Sequence, residues 1–140
     1  MKHRAVLLMS IVWSIFISCS LVCAADPPAE RVLALYFHRT VRCPTCVKMG
    51  GLAEEAVKQG FEKQVQEGKV EFRFIDFQAE ENAKLKKAYK ITGPALIVVK
   101  IVDNKVQEQE DLKDIWKKVQ GDKEEFLKYV RDHVAAYLPK

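Results

Sequence analysis

The 140-residue sequence carries 23 basic and 19 acidic side chains. The first 25 residues include Lys2 and Arg4 and no acid, so the 115 residues that follow carry 21 basic and 19 acidic groups, a net charge of +2. Because this balance is nearly neutral, the charge gives no reason to expect nucleic-acid binding. A segment of that length suffices for one domain with one hydrophobic core, and no internal repeat or low-complexity tract divides it.

The N-terminus has the three-part pattern of a secretory signal peptide. A short basic stretch around Lys2 precedes an apolar run from Ala5 to Ile17, and small residues follow it. We therefore predict that residues 1–25 are a signal peptide, cleaved after Ala24 or Ala25. The expected location is extracytoplasmic, where the surroundings are oxidising.

Two alternatives for the same segment are an uncleaved membrane anchor and a lipoprotein signal. The whole run from Ala5 to Ala25 has about the 20 residues that a bilayer span needs. A lipoprotein signal would place the lipid on Cys19, although Phe16 stands where leucine is usual. In each case residues 26–30, which contain two prolines, are predicted to be a short stiff linker to a domain over residues 31–140.

The first predicted strand, residues 31–38, is almost continuously apolar, as expected of a strand buried on both faces. Cys43 and Cys46 follow it directly and open a helix. Unpaired backbone N–H groups and the helix dipole at that position favour the thiolate form of Cys43. Pro44 suits the first helical turn, because its backbone needs no N–H there, and Thr45 completes the motif. Two thiols at this spacing predict a dithiol that forms and breaks a disulfide.

Three side chains near Cys43 also favour its thiolate form, as the helix start does. His38, Arg39 and Arg42 all lie within five residues of it and are cationic or readily protonated. We expect the two arginines to stabilise the Cys43 thiolate, which is the form that attacks disulfides.

Metal binding and a structural disulfide are the alternatives for this pair. A closed zinc site needs four ligands, but Cys19 and Cys23 lie in the predicted signal, and neither His38 nor His133 has ligand-like spacing to the pair. A structural disulfide would be a weak staple, because it closes a very short loop.

Hydrophobic periodicity predicts the remaining elements. The helix after the cysteines contains Gly50 and Gly51, each of which costs about 1 kcal/mol relative to alanine. This cost indicates a kink or a close backbone contact. Asp122 and Glu125 form a capping-box pattern that begins the last helix. The other predicted elements are strands at 69–77, 95–102 and 105–110 and a helix at 80–90.

The predicted order is β-α-β-α-β-β-α, an α/β fold with a central mixed four-stranded sheet. Helices join the first three strands, which we therefore expect to run parallel with right-handed crossovers. A hairpin turn at Asp103 and Asn104 makes the fourth strand an antiparallel edge strand.

This order, with Cys43-Pro44-Thr45-Cys46 after the first strand, resembles the thioredoxin-like superfamily. A second similar segment runs from Ile91 to Val99, where Gly93 and Pro94 precede the third strand. The resemblance implies that Pro94 is cis and packs against the dithiol, and the alternative is that Gly93 and Pro94 simply form a turn into the strand. It also implies that Gly93 and Pro94 border the groove that holds a partner's backbone, and that the more buried Cys46 resolves the mixed disulfide.

The segment from Tyr36 to Cys46 is similar, more narrowly, to small exported bacterial proteins known as the ArsF family or as a nitrophenyl-compound nitroreductase subunit. No glycine-rich phosphate loop is available here to hold a dinucleotide. The chain would at most relay electrons from its dithiol in such a reaction.

The sequence departs from thioredoxins proper at two positions. Arg42 precedes the first cysteine where they have tryptophan, and Phe37 aligns with their buried acid, which helps to deprotonate the resolving thiol. His38 is the candidate to replace this acid as the proton carrier. The alternative is that His38 merely ends the strand and points to solvent.

The function expected from these features is thiol–disulfide exchange in the bacterial periplasm or cell envelope. The expected partners are protein thiols or disulfides and a membrane or periplasmic redox partner, with no cofactor beyond the Cys43–Cys46 disulfide. We expect a monomer that binds no nucleic acid. The alternatives are a protein that binds copper(I), zinc or arsenite through the two thiolates, and a non-catalytic interaction module.

Overall fold

A buried strand, β1, lies at the centre of the fold. The computed structural model describes residues 26–139, and their sheet has the strand order β2-β1-β3-β4. The strands are β1 Glu30–His38, β2 Val70–Asp76, β3 Ala95–Val102 and β4 Lys105–Asp111. The helices are α1 Pro44–Gly60, α2 Glu62–Gln66, α3 Ala83–Ala88, α4 Ile115–Lys118 and α5 Lys123–Ala136, and a 3₁₀ turn spans Glu80–Asn82.

The two faces of β1 enter two separate cores, because successive side chains of a strand point to opposite sides. Val32, Ala34 and Tyr36 pack with α1 and α5 on one face. Leu33 and Phe37 join the core on the other face, which also contains Ile91 and has Tyr89 packed against it. The prediction that this strand is buried on both sides is confirmed.

The mixed four-stranded sheet is confirmed, but the predicted direction of the third strand is wrong. Strand β3 runs antiparallel to β1, whereas β2 is parallel to it. The six-residue helix α3 extends about 9 Å, and the seven-residue strand β2 about 23 Å. So short a helix does not carry the chain back to the other end of the sheet, and β3 therefore starts where β2 finishes.

The register of β3 places its first residue beside the end of β1. Ala95 pairs with Phe37, so Pro94 lies next to the point where the chain leaves β1 toward the cysteines. The hairpin between β3 and β4 lies at the opposite end of the sheet, with Asp103 and Asn104 in left-handed conformations. The predicted hairpin is confirmed.

The helix predictions are confirmed in part. Asp122 caps α5, and its side chain accepts a hydrogen bond from the Glu125 backbone N–H over 3.1 Å. The predicted helix at 80–90 is divided into the 3₁₀ turn and α3, and Lys90 takes a positive φ of 53° just after it. The short helices α2 and α4 were not predicted.

Gly50 explains why α1 tolerates two central glycines. A Cβ atom added to Gly50 would lie 2.7 Å from Cε1 of Tyr36 and 2.8 Å from Cε1 of Phe74, whereas one added to Gly51 would have no neighbour within 4 Å. The helix is continuous from Pro44 to Gly60. The close backbone contact is therefore confirmed at Gly50, and α1 has no break there.

The predicted signal peptide or anchor and the candidate lipidation site at Cys19 lie outside the described residues. Residues 26–29 of the predicted linker precede β1 without regular structure. In the part of the chain that the structure describes, no helix has both the length and the apolar character needed to cross a membrane.

Candidate functional site

The two cysteines lie at the N-terminus of α1, with one thiol exposed and the other buried. Cys43 is the N-cap residue and is exposed, whereas Cys46, one turn later, is 7% exposed. Their Sγ atoms are 2.6 Å apart, and the Cys46 backbone N–H donates to Cys43 Sγ over 3.2 Å. Pro44 begins the helix, as predicted.

The surroundings move the pKa values of the two thiols in opposite directions. The pKa of Cys43 is lowered, first by a hydrogen bond from the Cys46 thiol and then by one from the Cys46 backbone. The Thr45 backbone N–H contributes in the same direction. Burial is the main reason that the pKa of Cys46 is raised. Cys43 is therefore the stronger candidate for the attacking thiolate, and Cys46 keeps its proton at higher pH.

The two arginines line the site, but the lowered pKa of Cys43 comes mainly from hydrogen bonds, not from their charges. The Arg42 guanidinium lies 5.2 Å from the centre of the Phe74 ring on β2, in a cation–π contact. Arg39 and Arg42 both line the cavity at the dithiol. Sequence proximity indicated their location, whereas the hydrogen bonds depend on the geometry of the helix turn.

The side chain of His38, at the end of β1, is buried and does not face solvent. Its Nδ1 donates to the Arg39 carbonyl oxygen over 2.9 Å, so Nε2 is the acceptor nitrogen of the neutral ring. The ring packs near those of Tyr36 and Phe74, on the face of β1 that supports α1.

A cavity of about 440 Å³ opens beside the cysteines. Its lining combines the two arginines and the two thiols with three apolar side chains. The complete lining is Arg39, Val41, Arg42, Cys43, Cys46, Pro94 and Trp116. Residue 94 therefore borders the dithiol although it is distant from it in sequence. Gly93 lies beyond Pro94, in a neighbouring cavity of about 310 Å³.

The cis bond before Pro94 that the resemblance implies is not present in the structure. Every peptide bond among residues 26–139 is trans, including the bond between Gly93 and Pro94. The antiparallel register of β3 brings the trans proline to the end of β1 without a cis bond. A Cβ atom on Gly93 would meet no atom within 4 Å, so close packing does not require glycine there.

Tyr36 and Trp116 are two site residues that sequence reasoning missed. The hydroxyl of the buried Tyr36 donates to the Cys46 carbonyl oxygen over 2.8 Å, and burial raises the pKa of this phenol. Trp116 on α4 is 41% exposed and borders the dithiol cavity. For Tyr36, the signal in the sequence was the unusual Gly50, which leaves room for the Tyr36 ring. For Trp116, it was the presence of an aromatic residue within a basic stretch.

The fold and the paired cysteines agree with a comparison against protein families. A family model described as thioredoxin matches residues 25–131. The chain belongs to the thioredoxin family. No curated protein matches it significantly.

Within this thioredoxin-family chain, the dithiol has few additional metal-ligand candidates. Among residues 26–139, no group of three or more histidine, cysteine, aspartate and glutamate side chains is arranged to hold a metal ion. A closed zinc site requires four ligands. The described residues therefore form no such site around Cys43 and Cys46.

The opposite pKa shifts predict how the thiols react with an alkylating agent. In the reduced protein, Cys43 should react first, and its rate should rise with pH to a plateau with a midpoint below the free-thiol value of about 8.5. Replacing Cys46 with alanine should raise that midpoint, because it removes the strongest hydrogen bond to the thiolate. Arg39→Gln and Arg42→Gln should shift it less.

Mass-spectrometric measurement of iodoacetamide labelling against pH provides the check. A Cys43 midpoint at or above the free-thiol value would remove the argument for a nucleophile. A larger shift in the arginine variants than in Cys46→Ala would instead show that charge controls the thiolate.

Proposed function

We propose that this chain is an exported thiol–disulfide oxidoreductase that cycles between a Cys43–Cys46 dithiol and disulfide. One observation carries the proposal: an exposed thiol with a lowered pKa lies 2.6 Å from a buried thiol with a raised pKa. This asymmetry suits a pair in which one sulfur attacks and the other resolves. Membership of the thioredoxin family supports the same reading.

In the reducing direction, the Cys43 thiolate attacks one sulfur of a partner disulfide. A bond forms between Cys43 and that sulfur, and the other partner sulfur leaves as a thiolate that takes up a proton. Cys46 then loses its proton and attacks Cys43 Sγ, which releases the second partner thiol. The partner gains two electrons and two protons, and the protein ends with the Cys43–Cys46 disulfide. The reverse steps oxidise a partner dithiol.

The resolving step needs a group that accepts the proton of the buried Cys46. We assign this role to His38, because its buried ring lies beside that of Tyr36, whose hydroxyl donates to the Cys46 carbonyl oxygen, and Nε2 is its acceptor nitrogen. Histidine is the side chain that most often acts as a general acid or base in enzymes. In this assignment His38 takes the place of the buried acid that thioredoxins proper carry at the position of Phe37.

Each cycle requires a second redox partner, since the protein itself only exchanges two electrons between thiols. We propose a periplasmic or membrane protein in that role and an extracytoplasmic location for the chain, on the basis of the predicted N-terminal signal. The dithiol is the only redox group that the mechanism uses. The similarity of residues 36–46 to the ArsF family suggests that a reaction in the cell envelope receives these electrons.

Reduction of insulin by dithiothreitol is the direct test. Wild-type protein should accelerate the reaction above the rate with dithiothreitol alone, and Cys43→Ser should return it to that background. Parallel titrations with copper(I), zinc and arsenite address the alternative function. Tight stoichiometric binding of one of these to the dithiol, without acceleration of insulin reduction, would contradict the proposal and favour a binding protein.

A further inference from the structure

The dithiol lies at one end of a longer groove. The cavity beside the cysteines shares Pro94 and Trp116 with the neighbouring cavity. That cavity shares Lys90, Ile91 and Thr92 with a third, of about 350 Å³, which runs along α3. The three adjoining cavities, hereafter the dithiol groove, extend from the start of α1 to the exposed side of α3.

The charged side chains that line the dithiol groove are almost all basic. They comprise six cations and one carboxylate. The cations are Arg39, Arg42, Lys86, Lys87, Lys90 and Lys113, and the carboxylate is Asp111. Residues 26–139 carry 20 basic and 19 acidic groups, so the rest of this part of the chain has 14 basic and 18 acidic groups. The nearly neutral protein therefore concentrates positive charge along the dithiol groove.

The end of the groove at the cysteines is apolar. Val41 is 84% exposed and Trp116 is 41% exposed, and both border Cys43 together with Pro94. Exposed apolar side chains that converge on a reactive group are typical of a contact surface. A partner segment that places its sulfur at Cys43 can bury an apolar neighbour against these three residues.

We propose that the dithiol groove docks an acidic polypeptide segment whose exchanging cysteine stands next to an apolar residue. The proposal rests on the proposed oxidoreductase function and names the class of its substrate. Carboxylates along the segment would face Lys90 and Lys113 while its sulfur meets Cys43. Three adjoining cavities follow one another from the cysteines to α3, a path that suits an extended chain, and an anionic membrane is the alternative that the test separates.

Electrostatic complementarity of this kind increases the rate of association and depends on ionic strength. Screening shortens the reach of exposed charges to about 10 Å at 0.1 M salt. The predicted signature is therefore an exchange rate that depends on substrate charge in dilute buffer and loses that dependence in concentrated salt.

Two synthetic peptides provide the probe. Each carries one cysteine as a 2-pyridyl disulfide beside a leucine, and the flanking residues are four glutamates in one peptide and four glutamines in the other. Attack by the Cys43 thiolate on the peptide sulfur releases 2-thiopyridone, which is measured by absorbance. The glutamate peptide should react about tenfold faster at low ionic strength. The difference should disappear in about 0.5 M salt, where screening is strong.

A pair of matched variants locates the effect. Lys90→Gln/Lys113→Gln removes two charges from the dithiol groove and should slow the glutamate peptide severalfold. Lys63→Gln/Lys105→Gln removes the same charge elsewhere: Lys105 lies at the opposite end of the sheet, and Lys63 borders a separate cavity. This control should leave the rate of the glutamate peptide unchanged.

Equal rates for the two peptides, with exchange still occurring, would overturn the docking proposal and leave the oxidoreductase function standing. Absence of reaction with both peptides would overturn the proposed function and the docking proposal with it. Binding to phosphatidylglycerol vesicles that is lost in Lys90→Gln/Lys113→Gln, together with equal peptide rates, would identify a membrane-facing surface and contradict a peptide groove.

Discussion

Replacing Gly50 with alanine should lower the free energy of unfolding by about 1–3 kcal/mol, the usual cost of overpacking a core. The new Cβ atom would lie 2.7 Å from Cε1 of the buried Tyr36 and 2.8 Å from Cε1 of Phe74. The Tyr36 ring has little freedom to move, because it is buried and its hydroxyl donates to the Cys46 carbonyl. This cost should exceed the gain in helix propensity of about 1 kcal/mol.

Gly51→Ala is the matched control for this prediction. It makes the same chemical change in the next residue of α1, where an added Cβ would have no neighbour within 4 Å. It should therefore raise the free energy of unfolding by up to about 1 kcal/mol. Urea unfolding of the two variants and wild type gives the comparison. Equal stabilisation by both changes would show that Tyr36 and Phe74 do not crowd Gly50.

The sequence predicted most strands and the longest helices because their hydrophobic patterns are long enough to read. The predicted direction of β3 was wrong, because the direction depends on the length of α3 relative to β2 and not on the hydrophobic pattern of β3 itself. The short helices α2 and α4 span five and four residues, which is little more than one turn and leaves no readable periodicity.

The features of the site that are formed by residues close together in the sequence were predictable. The spacing of Cys43 and Cys46 indicated the dithiol, and their position at a helix start indicated which thiol is exposed. Distances that depend on the fold were not predictable, including the reach of Tyr36 to the Cys46 carbonyl and the approach of Trp116 from α4. The trans bond before Pro94 was likewise not evident from the sequence motif.

Replacing either cysteine with serine should have opposite effects on covalent intermediates. Cys46→Ser removes the resolving thiol and leaves Cys43 able to attack, so mixed disulfides with a protein substrate should accumulate. Cys43→Ser removes the exposed thiol with the lowered pKa. The remaining Cys46 is buried, and its pKa is raised, so this variant should form little adduct. Both variants should lose catalytic turnover, since each has only one sulfur.

The most direct measurement is therefore the adduct formed by each single variant after mixing with a disulfide-bonded protein such as oxidised insulin. Non-reducing electrophoresis with mass spectrometry identifies the adduct and the cysteine that carries it. We predict a dithiothreitol-sensitive adduct on Cys43 of Cys46→Ser and little or none on Cys43→Ser. Equal adduct on both variants, or more on Cys43→Ser, would contradict the assignment of Cys43 as the attacking thiol.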